Sequence, residues 1–276
     1  MLGLVFVLSS TMFMGAGFAA GQEEIEQETR YLSYQPITPF GGNLIGGVSE
    51  RIDYHRRESI TNRTNPPAPS YATNYTCGVT AGSVIIAYHN RTMPNLIPGH
   101  NAGIMLPNGA FLWAPGSSPG LLNTYTAIFN AMGGCMGGVT MLQWMGGMSS
   151  FIGQRGHSVI FGAAHTGPNS LNQTYFRNQI ANGRPVALFL NGFNIMGGGG
   201  LQVFSEQGFD LVTFGAYAGA HIMVAYGYNI VSYFDANDVM FRQDVYLNVN
   251  TGLGPNAFIR INTHAHMDWA MSLVIS

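Results

Sequence analysis

From Asn74 to Tyr88 the chain reads Asn-Tyr-Thr-Cys-Gly-Val-Thr-Ala-Gly-Ser-Val-Ile-Ile-Ala-Tyr, an apolar run opened by small residues around one thiol. Val79, Val84, Ile85 and Tyr88 follow a helical spacing. The pattern predicts a buried helix with Cys77 in its first turn, and a buried helix requires other layers to cover it. At that position the unpaired backbone N–H groups and the positive end of the helix dipole favour a thiolate, the nucleophilic form of cysteine.

The rest of the chain supplies those layers. Helical patterns over 121–132, 140–154 and 171–182 come first. Strand-like runs over 184–190, 221–228 and 244–250 and in the tail 257–275 come later, so the expected fold class is α+β. Pro94 to Pro119 and Gly192 to Gly219 read as loops, the second containing the glycines 197–200. Those glycines have no lysine after them, so they do not form a phosphate loop. Residues 21–68 are polar and turn-rich and read as an irregular, leader-like or propeptide-like arm ahead of a body spanning 69–276.

With 276 residues and 46% hydrophobic residues the chain can bury a large core. Charged residues make up only 9%, and all eleven cations are arginine. A net charge of −2 offers no basic footprint for nucleic acid. Leu2 to Ala20 is apolar and ends in small residues, as a cleavable signal peptide does, which implies a secreted or cell-surface protein. Membrane contact is expected only if this segment stays uncleaved as an anchor. Sequons occur at Asn62, Asn74, Asn90 and Asn172.

A nucleophilic cysteine needs a base and a group to orient that base. His221 opens an apolar strand after Ala218-Gly219-Ala220, 144 residues beyond Cys77. Strand 244–250 is expected to form a hairpin with 221–230, with Asn248 and Asn250 on one face by the period of two. Cys135, between glycine pairs, is a second candidate nucleophile, and a Cys77–Cys135 disulfide is the structural alternative for both thiols. His264, His266 and Asp268 alternate along one strand and form a candidate metal set, weighed against an ordinary exposed strand face.

The segment Asn-Tyr-Thr-Cys-Gly-Val-Thr-Ala-Gly resembles the nucleophile motif of papain-like cysteine peptidases of the C39-like type. The later runs Ala-Asn-Gly-Arg-Pro-Val-Ala-Leu, Gly-Ala-His-Ile-Met-Val-Ala-Tyr-Gly-Tyr and Tyr-Leu-Asn-Val-Asn-Thr-Gly follow in the same order, so the resemblance covers about residues 70–254. It implies a papain-like fold, a peptide or protein substrate, and no metal or organic cofactor. By the same resemblance Cys77 is the nucleophile, His221 the base and Asn250 the orienting amide. Val79 replaces the proline usual after Cys-Gly, and Tyr71 stands where the family carries its oxyanion glutamine. The oxyanion donors would then be the Cys77 backbone N–H with Asn74 or Tyr71. The loss of that glutamine also raises the alternative of a catalytically silent binding protein that keeps the fold.

Overall fold

The structure, a computed structural model, describes residues 31–32, 43–64, 76–108, 110–114, 118–134, 137–196, 203–252, 257–260 and 265–276. In chain order the elements are β1 (Tyr31–Leu32), β2 (Asn43–Asp53), β3 (Arg56–Arg63), α1 (Cys77–His89), β4 (Gly103–Met105), β5 (Phe111–Trp113), α2 (Pro119–Ala131) and α3 (Met141–Gly153). There follow β6 (Val159–Ala163), β7 (His165–Gly167), β8 (Ser170–Leu171), α4 (Gln173–Ala181), β9 (Val186–Met196), β10 (Val203–Glu206), β11 (Phe209–Phe234), β12 (Met240–Asn250), β13 (Ala257–Arg260) and β14 (Ala265–Ile275). Helices packed on an antiparallel sheet make the fold α+β.

The main sheet runs β1-β2-β11-β12-β13-β9-β14-β6. β9 also pairs directly with β11, so β11, β12, β13 and β9 close into a ring. β11 is the organising element. Its 26 residues pair with β10, β2 and β9 near its start and with β12 and β3 near its end.

Each face of the sheet is covered by helices. On one face α1, α2 and α3 bury Val84, Ile85, Ile128, Trp144 and Phe151 against Phe189, Ile222 and Val224. On the other, α4 lays Phe176 and Ile180 on Leu188, Met223 and Leu247. Alternation along β11 explains the split: even-numbered 222 and 224 point to one side, odd-numbered 223 and 225 to the other. Helix α1 is buried along its length from Gly78 to His89, as its apolar sequence requires. The expected start of α3 is also confirmed, because Thr140 and Gln143 form a reciprocal capping box.

Two sequence expectations are corrected. Residues 43–63 are not an irregular arm: β2 and β3 are ladder partners of β11. The stretch 192–219 is not a loop, because β9 continues to Met196 and β10 and the start of β11 occupy 203–219. In both cases glycine and charged residues hide the period-two pattern, and long-range pairing with β11 overrides the weak local signal. Residues 1–20 and 197–200 lie outside the described residues. Among those described, no helix is long and apolar enough to cross a membrane.

Candidate functional site

Cys77 is the first residue of α1, where its sequence placed it. Thr76, at the N-cap, accepts a hydrogen bond on its hydroxyl oxygen from Tyr125 rather than turning that oxygen onto the first turn. The first turn also holds no acidic residue, so its N–H groups remain directed at the thiol. Backbone hydrogen bonds from Ile222, Gly78 and Cys77 itself reach the sulfur.

The turn is locked in place from behind. Trp144, fully buried, donates its indole N–H to the Gly78 carbonyl at 3.0 Å. A Cβ on Gly78 would stand 2.3 Å from Val139 Cγ2, so the close approach of the 137–140 loop to Cys77 requires glycine there.

Cys77 and His221 line one cavity of about 450 Å³. Its walls are apolar: Val139 and Met141 on the α3 side, Phe189, Leu190 and Ile222 on the sheet, and Trp269 on β14. The β11–β12 ladder runs out at Val224–Asn250, next to the lining residues Ala220, His221 and Ile222. Beyond that last pair, the backbone of Ile222 is directed to the Cys77 thiol instead of to β12.

His221 is 3% exposed, and its Nε2 lies 2.8 Å from the Thr251 carbonyl oxygen. A carbonyl only accepts, so Nε2 carries the proton and the neutral ring has its basic lone pair on Nδ1. Asn250 supports this arrangement one step back. Its Oδ1 accepts the Gly252 N–H at 2.9 Å, closing a turn around Thr251. Gly252 has φ +70°, and a Cβ there would lie 2.8 Å from Thr80 Cγ2 of α1. The tight glycine turn therefore packs against α1, next to the Thr251 carbonyl.

The electrostatics differ from the expected thiolate. Burial pushes the Cys77 thiol up, and the hydrogen bonds from Ile222, Gly78 and its own backbone offset this only in part. Burial likewise pushes His221 down, against the opposing pull of the Thr251 carbonyl. Both directions favour neutral forms, a thiol and an imidazole lining one cavity. The helix terminus favours the thiolate, but desolvation of this one outweighs it.

Of the remaining candidates, Tyr71, Asn74, Cys135 and His264 lie outside the described residues. Cys77 carries a free thiol, so the disulfide alternative is not realised. Among the described residues no group of three or more metal-ligating side chains converges, and His266 and Asp268 are both exposed on β14. The sequon at Asn90 is closed to modification: its side chain is buried, donates to the His100 carbonyl and accepts from the Ile97 N–H. Sequence reasoning missed the Thr251 carbonyl and Trp144, because a main-chain oxygen carries no residue signature and the tryptophan reads as ordinary core.

No family model, no curated protein and no solved structure matches the chain.

Proposed function

We propose that the protein is a thiol-dependent peptidase with a papain-like arrangement, cleaving peptide or amide bonds through Cys77 and His221. The supporting observation is that a free thiol on a desolvated helix N-terminus shares one cavity with a histidine whose tautomer is fixed by a main-chain carbonyl. Cys77 Sγ attacks the scissile carbonyl carbon while its proton passes to His221. The carbonyl electrons move onto oxygen, which the first-turn N–H groups of α1 stabilise. As the tetrahedral adduct collapses, the C–N bond breaks and the imidazolium returns its proton to the departing amine. Water, deprotonated by His221, then hydrolyses the thioester and restores the thiol. Asn250 acts through the turn that presents the Thr251 carbonyl, and is a positioning residue in this scheme.

The neutral pair sets the expected pH behaviour. With His221 depressed, the base is already unprotonated below its ordinary range, so the acid limb of kcat/KM falls below pH 6.5. With Cys77 raised, the alkaline limb lies above an ordinary thiol's range. Hydrolysis of a mixed peptide library by the purified chain, followed from pH 4 to 10, measures both limbs. Cys77→Ser is expected to abolish cleavage, and His221→Ala to reduce it by about 10³-fold or more. Cleavage that survives Cys77→Ser would overturn the assignment.

A second reading, a silent binding protein on the same fold, draws on the depth of burial of His221, which leaves the base little access to solvent water. It predicts no turnover of any library member, with Cys77 modified by iodoacetamide no faster than its raised thiol permits.

A further inference from the structure

β14 departs from regular pairing at the mouth of the cavity. Met267 pairs with Leu190 and Trp269 with the adjacent Phe189, so Asp268 is the extra residue of a β-bulge. Bulges re-aim side chains, and this one directs a carboxylate and an indole to the rim: Asp268 and Trp269 both line the cavity that holds Cys77. Leu190 pairs with His221 on its other side. Asp268 therefore stands two strands from His221, about 10 Å across the sheet.

Asp268 is the one charged residue among the cavity's described lining side chains. It is exposed, and it forms no ion pair or hydrogen bond with a described residue. By contrast, Glu50, Asp210 and Asp244 are each paired with arginine. Around Asp268 the wall is Phe189, Leu190, Met141 and a Trp269 that is 43% exposed. An uncommitted carboxylate beside an aromatic face, within a side chain's reach of the reacting pair, matches a group with an apolar stem and a cationic end.

We propose that Asp268 is a specificity-determining residue that selects amide substrates carrying a cationic group, an ammonium or guanidinium, next to the scissile bond, with the alkyl stem packed on Trp269. This rests on the peptidase reading above and assigns its substrate class.

Charged thiol reagents test it before any substrate has been identified. Methyl methanethiosulfonate is neutral, its 2-(trimethylammonium)ethyl analogue cationic and its 2-sulfonatoethyl analogue anionic. Each transfers its sulfenyl group to the Cys77 thiolate, forming a mixed disulfide and releasing methanesulfinate, and peptide mapping separates Cys77 from Cys135. Rates are normalised to those of a free thiol in solution. A unit charge about 10 Å from the reacting pair in a partly solvated site predicts a cation-to-anion rate ratio of about tenfold. The ratio should fall several-fold in Asp268→Asn, persist in Asp268→Glu, and shrink as salt is raised. In the peptide library, basic residues beside the cleaved bond should be enriched for the native chain and lose that enrichment in Asp268→Asn. A ratio near one, or a ratio unchanged by Asp268→Asn, overturns the assignment while leaving the peptidase reading intact. Failure of the neutral reagent to modify Cys77 in the folded chain removes both.

Discussion

Two ends of the same sheet handle burial in opposite ways. At the end carrying β2 and β3, ionised groups are buried together. Glu50 binds Arg242 at 2.7 Å and Arg260 at 2.6 Å, Arg242 reaches Asp244 at 2.9 Å, and Arg57 meets the fully buried Asp210 at 2.9 Å. Burial pushes Glu50 up, yet the bonds from Arg242 and Arg260 more than offset it and hold its carboxyl at about 2. At the cavity end Cys77 and His221 are buried with backbone dipoles for company and no counter-ion among the lining residues except the exposed Asp268. There burial wins and both groups are driven to their neutral forms. Among the described residues, buried ion pairs join strands distant in sequence at one end, while at the cavity end burial favours neutral groups.

The contrast is open to direct attack. Arg260→Ala strips both Glu50 and Asp244 of a buried partner, and a loss of about 3–5 kcal/mol is expected in urea unfolding. A cost below about 1 kcal/mol would show that the ion network is not what holds β2 to the sheet.

His89, at the opposite end of α1 from Cys77, sharpens the comparison through pH. Burial, with Arg91 and Arg184 nearby, lowers it to about 4, and its Nε2 has no partner. The unfolded chain therefore binds this proton at higher pH than the folded one. Stability is complete above about pH 6.5 and declines as pH falls toward 4, by about 3 kcal/mol for this group. In His89→Leu the urea midpoint should be flatter across that window, and an unchanged slope would remove His89 as its source.

The smallest effect expected is that of Asn250→Ala, which deletes the acceptor for the Gly252 N–H. About 1 kcal/mol of stability should be lost, with a larger proportional fall in kcat than in KM if the turn serves to hold the Thr251 carbonyl on His221. Asn250→Asp keeps the acceptor and should restore most of kcat. Equal changes in kcat and KM for both variants would reduce Asn250 to a structural residue.

Much of the helical half was readable from local pattern. The capping box at Thr140, the apolar run after Cys77 and the amphipathic spacing of Phe176 and Ile180 are short-range signals, and α1, α3 and α4 begin within about two residues of where those signals fall. Strands were legible where short apolar runs stood out, as in 184–190, 221–228 and 244–250. β2, with Gly46-Gly47 and Glu50-Arg51, has no such pattern because its partner strand and its ion pairs supply what its side chains do not. At the site, the positions of Cys77 and His221 could be read as residue types, whereas the neutral state of the pair depends on burial, which emerges only when three helices and a sheet meet.

The length of β11 also governs when the molecule can exist at all. Asp53 pairs with Phe209, 156 positions later, and Arg63 with Gly227. On a ribosome adding about 5–20 residues per second, β2 waits roughly 8–30 s before its partner has even been made. During that interval the edge of β2 that β11 will cover stays open and must avoid other exposed strand edges. Its charged residues, Glu50, Arg51 and Asp53, are well suited to keep it in solution until β11 arrives.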